Sequence, residues 1–240
     1  MASLMVDSFR SVIVFDLLPA ICSKEIDIVL LVADLSGYTA LTEAHGNISA
    51  AKVVNRYTEI AKESLYEGTR LIERVGDEIL IASTDAVSII KTALKLVHKI
   101  ETEPFFPTIH AGIHAGKVLE QGGHYFGSAL NIASRVVSHA RGCQILCTKT
   151  VVEMVGEMED IKFRAIGEVN FKNIFEPVAL FEIVTDCRKL EMNVVDPVCR
   201  MLVSPESASA HLTFKDNNYY FCSFECAQKF ARQPNLFIKN

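Results

Sequence analysis

Ile28–Thr42 reads IVLLVADLSGYTALT, and this stretch decides the fold. From Ile28 to Ala33 no polar residue interrupts the run, the pattern of a strand buried on both faces. The run closes on a charge, Asp34. Gly37 then permits a tight backbone path, and a short helix is expected after it. A second apolar stretch is split by Gly76-Asp77, so 71–75 and 78–82 read as the two strands of a hairpin with Asp77 at its tip. Each of the two aspartates therefore sits at the end of a hydrophobic strand.

Outward from these strands the periodicity changes. Val53, Val54, Tyr57, Ile60, Ala61 and Leu65 recur at helical spacing over 49–66, and Gly68 stops that helix. Over 85–101, Ala86, Ile89, Ile90, Ala93, Leu96, Val97 and Ile100 share one helix face, with Thr84 as the expected N-cap. Pro104 and Pro107 end that helix. A central strand is expected over 108–114, a turn at Gly122-Gly123, a helix over 128–139, and strands over 144–147, 162–166 and 178–183. Two β-α-β-β-like halves in succession predict an α+β, ferredoxin-like domain with helices on one face of an antiparallel sheet.

Residues 186–195 (DCRKLEMNVV) are polar and aperiodic and read as a linker, and the 196–240 segment is too short to hold a large core. The expected division is an N-terminal extension 1–25, a domain 26–185, the linker 186–195 and a small domain 196–240. Ser11–Cys22 resembles a signal-peptide core, but Asp16 interrupts it and no small-x-small site follows, so a packed helix or strand is expected there.

Half of the 240 residues are hydrophobic and 22% are charged, which places the chain among ordinary globular proteins. A net charge of −5 with no segment rich in Lys and Arg argues against a nucleic-acid polymer as partner. No apolar run is long enough to span a bilayer. An odd count of 7 cysteines, four of them scattered singly, points to reduced thiols and a cytoplasmic location.

Asp34 and Asp77 acquire meaning from Asn131 and Arg135 in Leu130-Asn-Ile-Ala-Ser-Arg135. Paired carboxylates at strand ends are what two hard divalent cations, Mg²⁺ or Mn²⁺, need for phosphoryl transfer. The Leu35 carbonyl is a further candidate ligand, and the backbone N–H groups of Ser36–Thr39 at the helix start are candidates for phosphate oxygens. Asn131 and Arg135 lie one helical turn apart and reach one substrate, the guanidinium neutralising phosphate charge and the amide orienting a sugar. Singly, each aspartate would serve as well as a helix cap or a turn residue.

These segments carry a family resemblance. Val29–Thr42 resembles the first metal motif of class III adenylate and guanylate cyclases, Ile72–Leu80 their second, and Tyr125–Arg135 their transition-state motif; the likeness runs from about 26 to 184. It implies a phosphorus-oxygen lyase that makes 3′,5′-cyclic nucleotide and pyrophosphate from ATP or GTP for intracellular signalling. It also implies that Lys172, in Asn170–Pro177, binds phosphate, and that Gly37, Tyr38 and Thr39 line the nucleotide. In the family the site is shared by a head-to-tail homodimer, so Asp34 and Asp77 of one chain would face Asn131, Arg135 and Lys172 of the other. Glu73 holds the position that the family uses to read the base, where a carboxylate suits the N1–H and N2–H donors of guanine. His124, at the companion position, fits neither the adenine nor the guanine set. The rival fate of Glu73 is an ion pair with Arg70 or Arg74. The alternative for the whole chain is a catalytically silent cyclase fold that senses nucleotide or metal.

The tail has its own pattern. Cys199 in Asp196-Pro-Val-Cys-Arg-Met201 precedes Cys222 and Cys226 in Tyr219–Cys226, and this arrangement resembles YHS domains, small metal-associated modules of the TRASH type. Soft thiolates select Zn²⁺, Cu⁺ or a similar ion, and a bound metal would add stability that so short a segment lacks. Asp196 and His211 are candidates for a fourth ligand. The glycine usual in that family after the first cysteine is Arg200 here. His45, His98, His110, His114 and His139 lack ligand spacing and read as structural or solvated.

Overall fold

The structure is a computed structural model that describes residues 23–185 and 193–238. The Ser11–Cys22 segment and most of the expected linker lie outside the described residues. The N-terminal part runs β1 (Ser23–Leu35), α1 (Tyr38–Ser64), β2 (Arg70–Val75), β3 (Glu78–Ser83), α2 (Ala86–Thr102), β4 (Ile109–Gln121), β5 (His124–Phe126), α3 (Ser128–His139), β6 (Ile145–Thr148), α4 (Lys149–Val155), β7 (Phe163–Val169) and β8 (Val178–Ile183). Its sheet has the order β2-β3-β1-β4-β6-β8-β7, with β5 paired to β4.

The uninterrupted apolar run becomes the middle of this sheet. Val29, Leu31, Ala33 and Leu35 face a layer made by α1, α2 and α4. Ile28, Leu30 and Val32, alternating with them, face α3 with Ala129, Ala133 and Val137. Leu30 and Leu31 are both fully buried, each on its own side, so truncating either to Ala should cost about 2–5 kcal/mol. The expected α+β domain is therefore present, with two differences of arrangement. The expected placement of helices on one face does not hold for α3, which lies on the face opposite α1 and α2. The sheet is antiparallel except for β4 and β6, which run parallel.

α3 approaches the sheet closely because Gly112 of β4 has no side chain. A Cβ there would meet Val137 N at 2.4 Å and Val136 C at 2.9 Å. The N-cap of α2 is Asp85 rather than the expected Thr84: its carboxylate accepts from the backbone N–H groups of Val87 and Ser88. Helix α1 is two helices joined at Gly46, whose φ of 78° and ψ of 166° leave the helical region.

The C-terminal part comprises β9 (Val194–Val195), β10 (Leu202–Val203), β11 (Ala210–Phe214), β12 (Asn217–Phe221), α5 (Phe224–Arg232) and α6 (Pro234–Phe237). Phe230 centres its core, with the Tyr219 ring at 4.8 Å and the Phe221 ring at 5.2 Å. Ala44 of α1 packs into the same cluster. Leu202 N–H donates to Phe106 O at 3.0 Å, and the Lys229 ammonium donates to the carbonyls of Glu43 and Ala44 at 3.0 and 2.7 Å. The tail is thus seated on the first half of α1.

Candidate functional site

Asp34 closes β1 opposite Glu78 of β3 and opposite His110 of β4. Asp77 occupies the β2–β3 tip, where Gly76 takes a φ of 63°. The two carboxyls act on each other, each helping to set the other's pKa. Burial first, and then the Asp34 charge, raise Asp77 from 3.8 to about 6. Burial also lifts Asp34, and burial with the Asp77 charge lifts Glu78. Among the described residues no Lys or Arg pairs with these carboxylates. The nearest basic group is His110, whose Nε2 lies 3.6 Å from Asp34 Oδ2 while burial lowers its pKa. Tyr57 adds a fully buried hydroxyl with no hydrogen-bond partner, and burial followed by the charges of Asp34, Asp77 and Glu78 raises its pKa. Half-buried carboxylates that burial and their neighbours' charges push up together, with no Lys or Arg partner among the described residues, are a donor set suited to divalent metal ions.

His110, Glu78 and Tyr57 are absent from the sequence-based site. His110 was expected to be structural or solvated; instead it borders Asp34, and its Nδ1 lies 3.1 Å from Ser36 Oγ. Only the register of β1 with β4 reveals it, and no spacing along the chain carries that register.

The β1–α1 turn is tight. Gly37 has a φ of 83°, in the left-handed region. Ser36 N–H was a candidate phosphate donor, but it donates to Thr108 O at 2.7 Å and is spent. Gly37, Tyr38 and Thr39 remain at the helix start; Tyr38 packs against the core and Thr39 is exposed. The stem of Arg200 lies directly on the turn, since a Cβ on Gly37 would stand 2.5 Å from Arg200 Cβ and Cγ.

Asn131 and Arg135 share the exposed face of α3 while Ala129, Ala133, Val136 and Val137 bury the other. Lys172 is exposed in the β7–β8 loop, and that loop packs on α3 through Phe171, whose ring meets His139 edge-on at 6.0 Å. Ile132, Val136 and Phe171 belong to one apolar cluster, which seats the loop of Lys172 against α3. Asn131, Arg135 and Lys172 make no hydrogen bond or ion pair among the described residues.

Glu73 is exposed and shares a cleft of about 220 Å³ with Asn131, Glu78 and Leu130. It forms no ion pair with Arg70 or Arg74. Arg70 instead donates to Tyr125 Oη at 2.7 Å, tying the strand of Glu73 to the strand of His124, which is exposed.

In the tail Cys199 Sγ lies 3.3 Å from Cys222 Sγ, which lies 3.8 Å from Cys226 Sγ. Neither proposed fourth ligand joins them. The Asp196 carboxylate accepts from the backbone N–H groups of Val198, Cys199 and Cys222, so it shapes the two cysteine loops. His211 is exposed beside Tyr220. The fourth donor is His45, expected to be structural or solvated, whose Nε2 lies 3.4 Å from Cys222 Sγ and 3.5 Å from Cys226 Sγ. All four donor atoms fall within 4.8 Å of one another. Hydrogen bonds from Cys199 and then Cys222 hold Cys226 far below the ordinary thiol range. Arg200 takes a φ of 67°, which explains the glycine common at that position and costs a non-glycine residue about 1–2 kcal/mol.

Residues 22–182 match the sequence model of the adenylate and guanylate cyclase catalytic domain, and 194–239 that of the YHS domain. A pH-sensitive adenylate cyclase of Mycobacterium tuberculosis is 29% identical over 154 residues, 63% of this chain and 39% of the relative. An adenylate cyclase of Streptomyces coelicolor is 35% identical over 109 residues, 45% of this chain and 29% of the relative. The chain thus spans less than half the length of these relatives. Among solved structures, the adenylyl cyclase CyaB of P. aeruginosa superposes with a TM-score of 0.60 at 20% identity, covering 70% of this chain and 98% of its own. The guanylyl cyclase Cya2 gives a TM-score of 0.60 at 20% identity, with 68% and 94% covered. At that identity the likeness is one of fold.

Proposed function

We propose, from the premise that this chain belongs to the adenylate and guanylate cyclase catalytic domain family, that it converts ATP or GTP to 3′,5′-cyclic nucleotide and pyrophosphate. The carrying observation is the pair Asp34 and Asp77, half-buried at strand ends, each pushed up in pKa by burial and lacking any Lys or Arg partner among the described residues. Asp34, Asp77 and the Leu35 carbonyl would hold two Mg²⁺ or Mn²⁺, which supply Lewis-acid polarisation of phosphate oxygens and of the ribose hydroxyl.

The chain's own groups divide the remaining work. The N–H groups of Gly37, Tyr38 and Thr39 receive phosphate oxygens at the start of α1. Arg135 neutralises charge that grows on the α-phosphate as the 3′-oxygen attacks, and Asn131 fixes the ribose for in-line attack. Lys172 binds the phosphate chain. Glu73 accepts from the base edge, with His124 as its companion. Asn131, Arg135 and Lys172 are exposed and make no hydrogen bond or ion pair among the described residues, which supports a site completed across a homodimer in which they meet the other chain's carboxylates. A silent nucleotide or metal sensor would leave this filled catalytic set without use.

The catalytic unit is assigned to 26–185 and the metal-associated unit to 196–240, with each unit's first strand beginning earlier, β1 at Ser23 and β9 at Val194, inside the expected extension 1–25 and linker 186–195. No described helix is long and apolar enough to cross a membrane. A cluster of three thiols requires reducing surroundings, which supports a cytoplasmic site of action in cyclic-nucleotide signalling.

The test incubates purified protein with Mn²⁺ and ATP or GTP and identifies the product by mass spectrometry. Asp77→Ala and Arg135→Ala should each lose product by about two orders of magnitude or more. Mixing the two variants under subunit exchange should restore it, because one mixed dimer interface keeps an intact site. Absence of cyclic product from either nucleotide overturns the activity, and failed recovery despite confirmed exchange overturns the shared site.

A further inference from the structure

His45 belongs to α1, on the far side of the chain from the three cysteines in sequence, yet its Nε2 touches two of their sulfurs. Zinc binds thiolate sulfur at about 2.3 Å and imidazole nitrogen at about 2.0–2.1 Å; a tetrahedron on those bonds has edges of about 3.8 Å between sulfurs and about 3.5 Å from sulfur to nitrogen. The 3.8 Å contact between Cys222 and Cys226 and the 3.4 and 3.5 Å contacts to the nitrogen match those edges, while Cys199 and Cys222, at 3.3 Å, stand about half an ångström closer than a bound ion would hold them. Three thiols and one imidazole are also a complete closed set for a structural zinc.

The backbone is arranged to deliver this histidine. Gly46 breaks α1 immediately after it, with a φ that only glycine adopts without strain. Lys229, from the helix that carries Cys226, donates to the carbonyls of Glu43 and Ala44 and so ties that helix to the turn bearing His45. Cys199 is followed by Arg200, whose stem covers Gly37. The cluster therefore joins two parts of the chain at one end of the segment that begins with the β1–α1 turn.

We propose that His45, Cys199, Cys222 and Cys226 form one zinc-type site that clamps the tail onto the first half of α1 and holds the Gly37–Thr39 turn in place. Binding displaces thiol protons to solvent and involves no change of oxidation state. The site stands on its own geometry; only its consequence for nucleotide binding rests on the cyclase reading above.

The experiment uses the full chain. Zinc affinity is measured by competition with a chromophoric chelator, coordination by the visible bands of the Co²⁺-loaded protein, and the clamp by hydrogen exchange over 36–45. Wild type should bind one ion per chain with tetrahedral Co²⁺ bands. H45A should bind more than about a hundredfold more weakly, since even outer-sphere partners are worth about ten- to hundredfold. H45C should recover tight binding with bands shifted towards an all-sulfur set. Chelation of wild type should raise exchange over 36–45 to the level of H45A. Unchanged affinity and bands in H45A remove His45 from the site, and weak binding that H45C does not recover shows a folding defect and likewise overturns the ligand assignment. Exchange that ignores the metal overturns the clamp. Each readout is independent of cyclase activity, so a protein that makes no cyclic nucleotide would leave the site standing.

Discussion

Replacing Asp77 by Asn should stabilise the metal-free protein and abolish its response to Mg²⁺. Burial and the Asp34 charge raise Asp77 from 3.8 to about 6. A carboxyl with a raised folded pKa holds its proton more tightly in the native state. The resulting stability is present below about pH 4 and is lost as pH rises through about 6. Taken whole, such a shift corresponds to about 3 kcal/mol. The side chain is only half-buried, and solvent screening reduces the effect to about 1 kcal/mol. Asn keeps the shape and a donor towards Asp34 without the charge. At pH 7.5, D77N should therefore melt about 2–4 °C above wild type, and the gap should close near pH 4. Mg²⁺ at ten times its dissociation constant should add about 1.4 kcal/mol to wild type, about 3–6 °C, and nothing to D77N. Mg²⁺ is the probe of choice because a hard cation leaves the cysteine cluster silent. The assay is thermal unfolding from pH 4 to 8, with and without the ion. Coincident metal-free curves, or an Mg²⁺ response that survives in D77N, would refute the reading of the pair as a cation site.

Three further outcomes follow from other parts of the fold. Gly112→Ala should destabilise by about 3 kcal/mol or more, because its Cβ would strike the α3 backbone at 2.4 Å and shift the helix that carries Asn131 and Arg135; a urea midpoint equal to wild type would contradict this. Glu73→Lys with His124→Asp should move the ratio of specificity constants towards ATP by about tenfold to a hundredfold, and an unmoved ratio in an active protein would place base reading elsewhere. Burial lowers His114 to about 4, so the unfolded chain takes up the proton first and stability, complete above about pH 6.5, is lost towards pH 4, by up to about 3 kcal/mol. His114→Gln should flatten that acid limb in urea titrations, and equal slopes for the two proteins would exclude it.

Most elements were legible because their signals are local. The run at 28–33 had to be a central strand, since an unbroken apolar segment needs cover on both faces, and Leu30 and Leu31 are indeed buried on opposite sides. The helix expected over 128–139 has those bounds, with Ala129, Ala133, Val136 and Val137 buried on one face. β5 and α4 were not read: the first has three residues and the second buries only Val151, too few positions to show a period. Asp34, Asp77, Asn131 and Arg135 were visible because each sits in a short motif.

What no local pattern carries is the meeting of distant segments. The face of the sheet that α3 covers depends on the missing side chain of Gly112 and on a crossover that sets β6 parallel to β4. His110 reaches Asp34 because register pairs their strands, and register is a property of two strands together. His45 stands 177 residues before Cys222, and its spacing to the cysteines along the chain means nothing for a metal. Sequence alone pointed to the carboxylates and thiols as cation ligands, hard and soft, because that is side-chain chemistry, but it left out His45 and offered Asp196 and His211 in its place. Tertiary packing decided which of them share a site, because donors must converge within a few ångströms, and only the folded chain sets those distances.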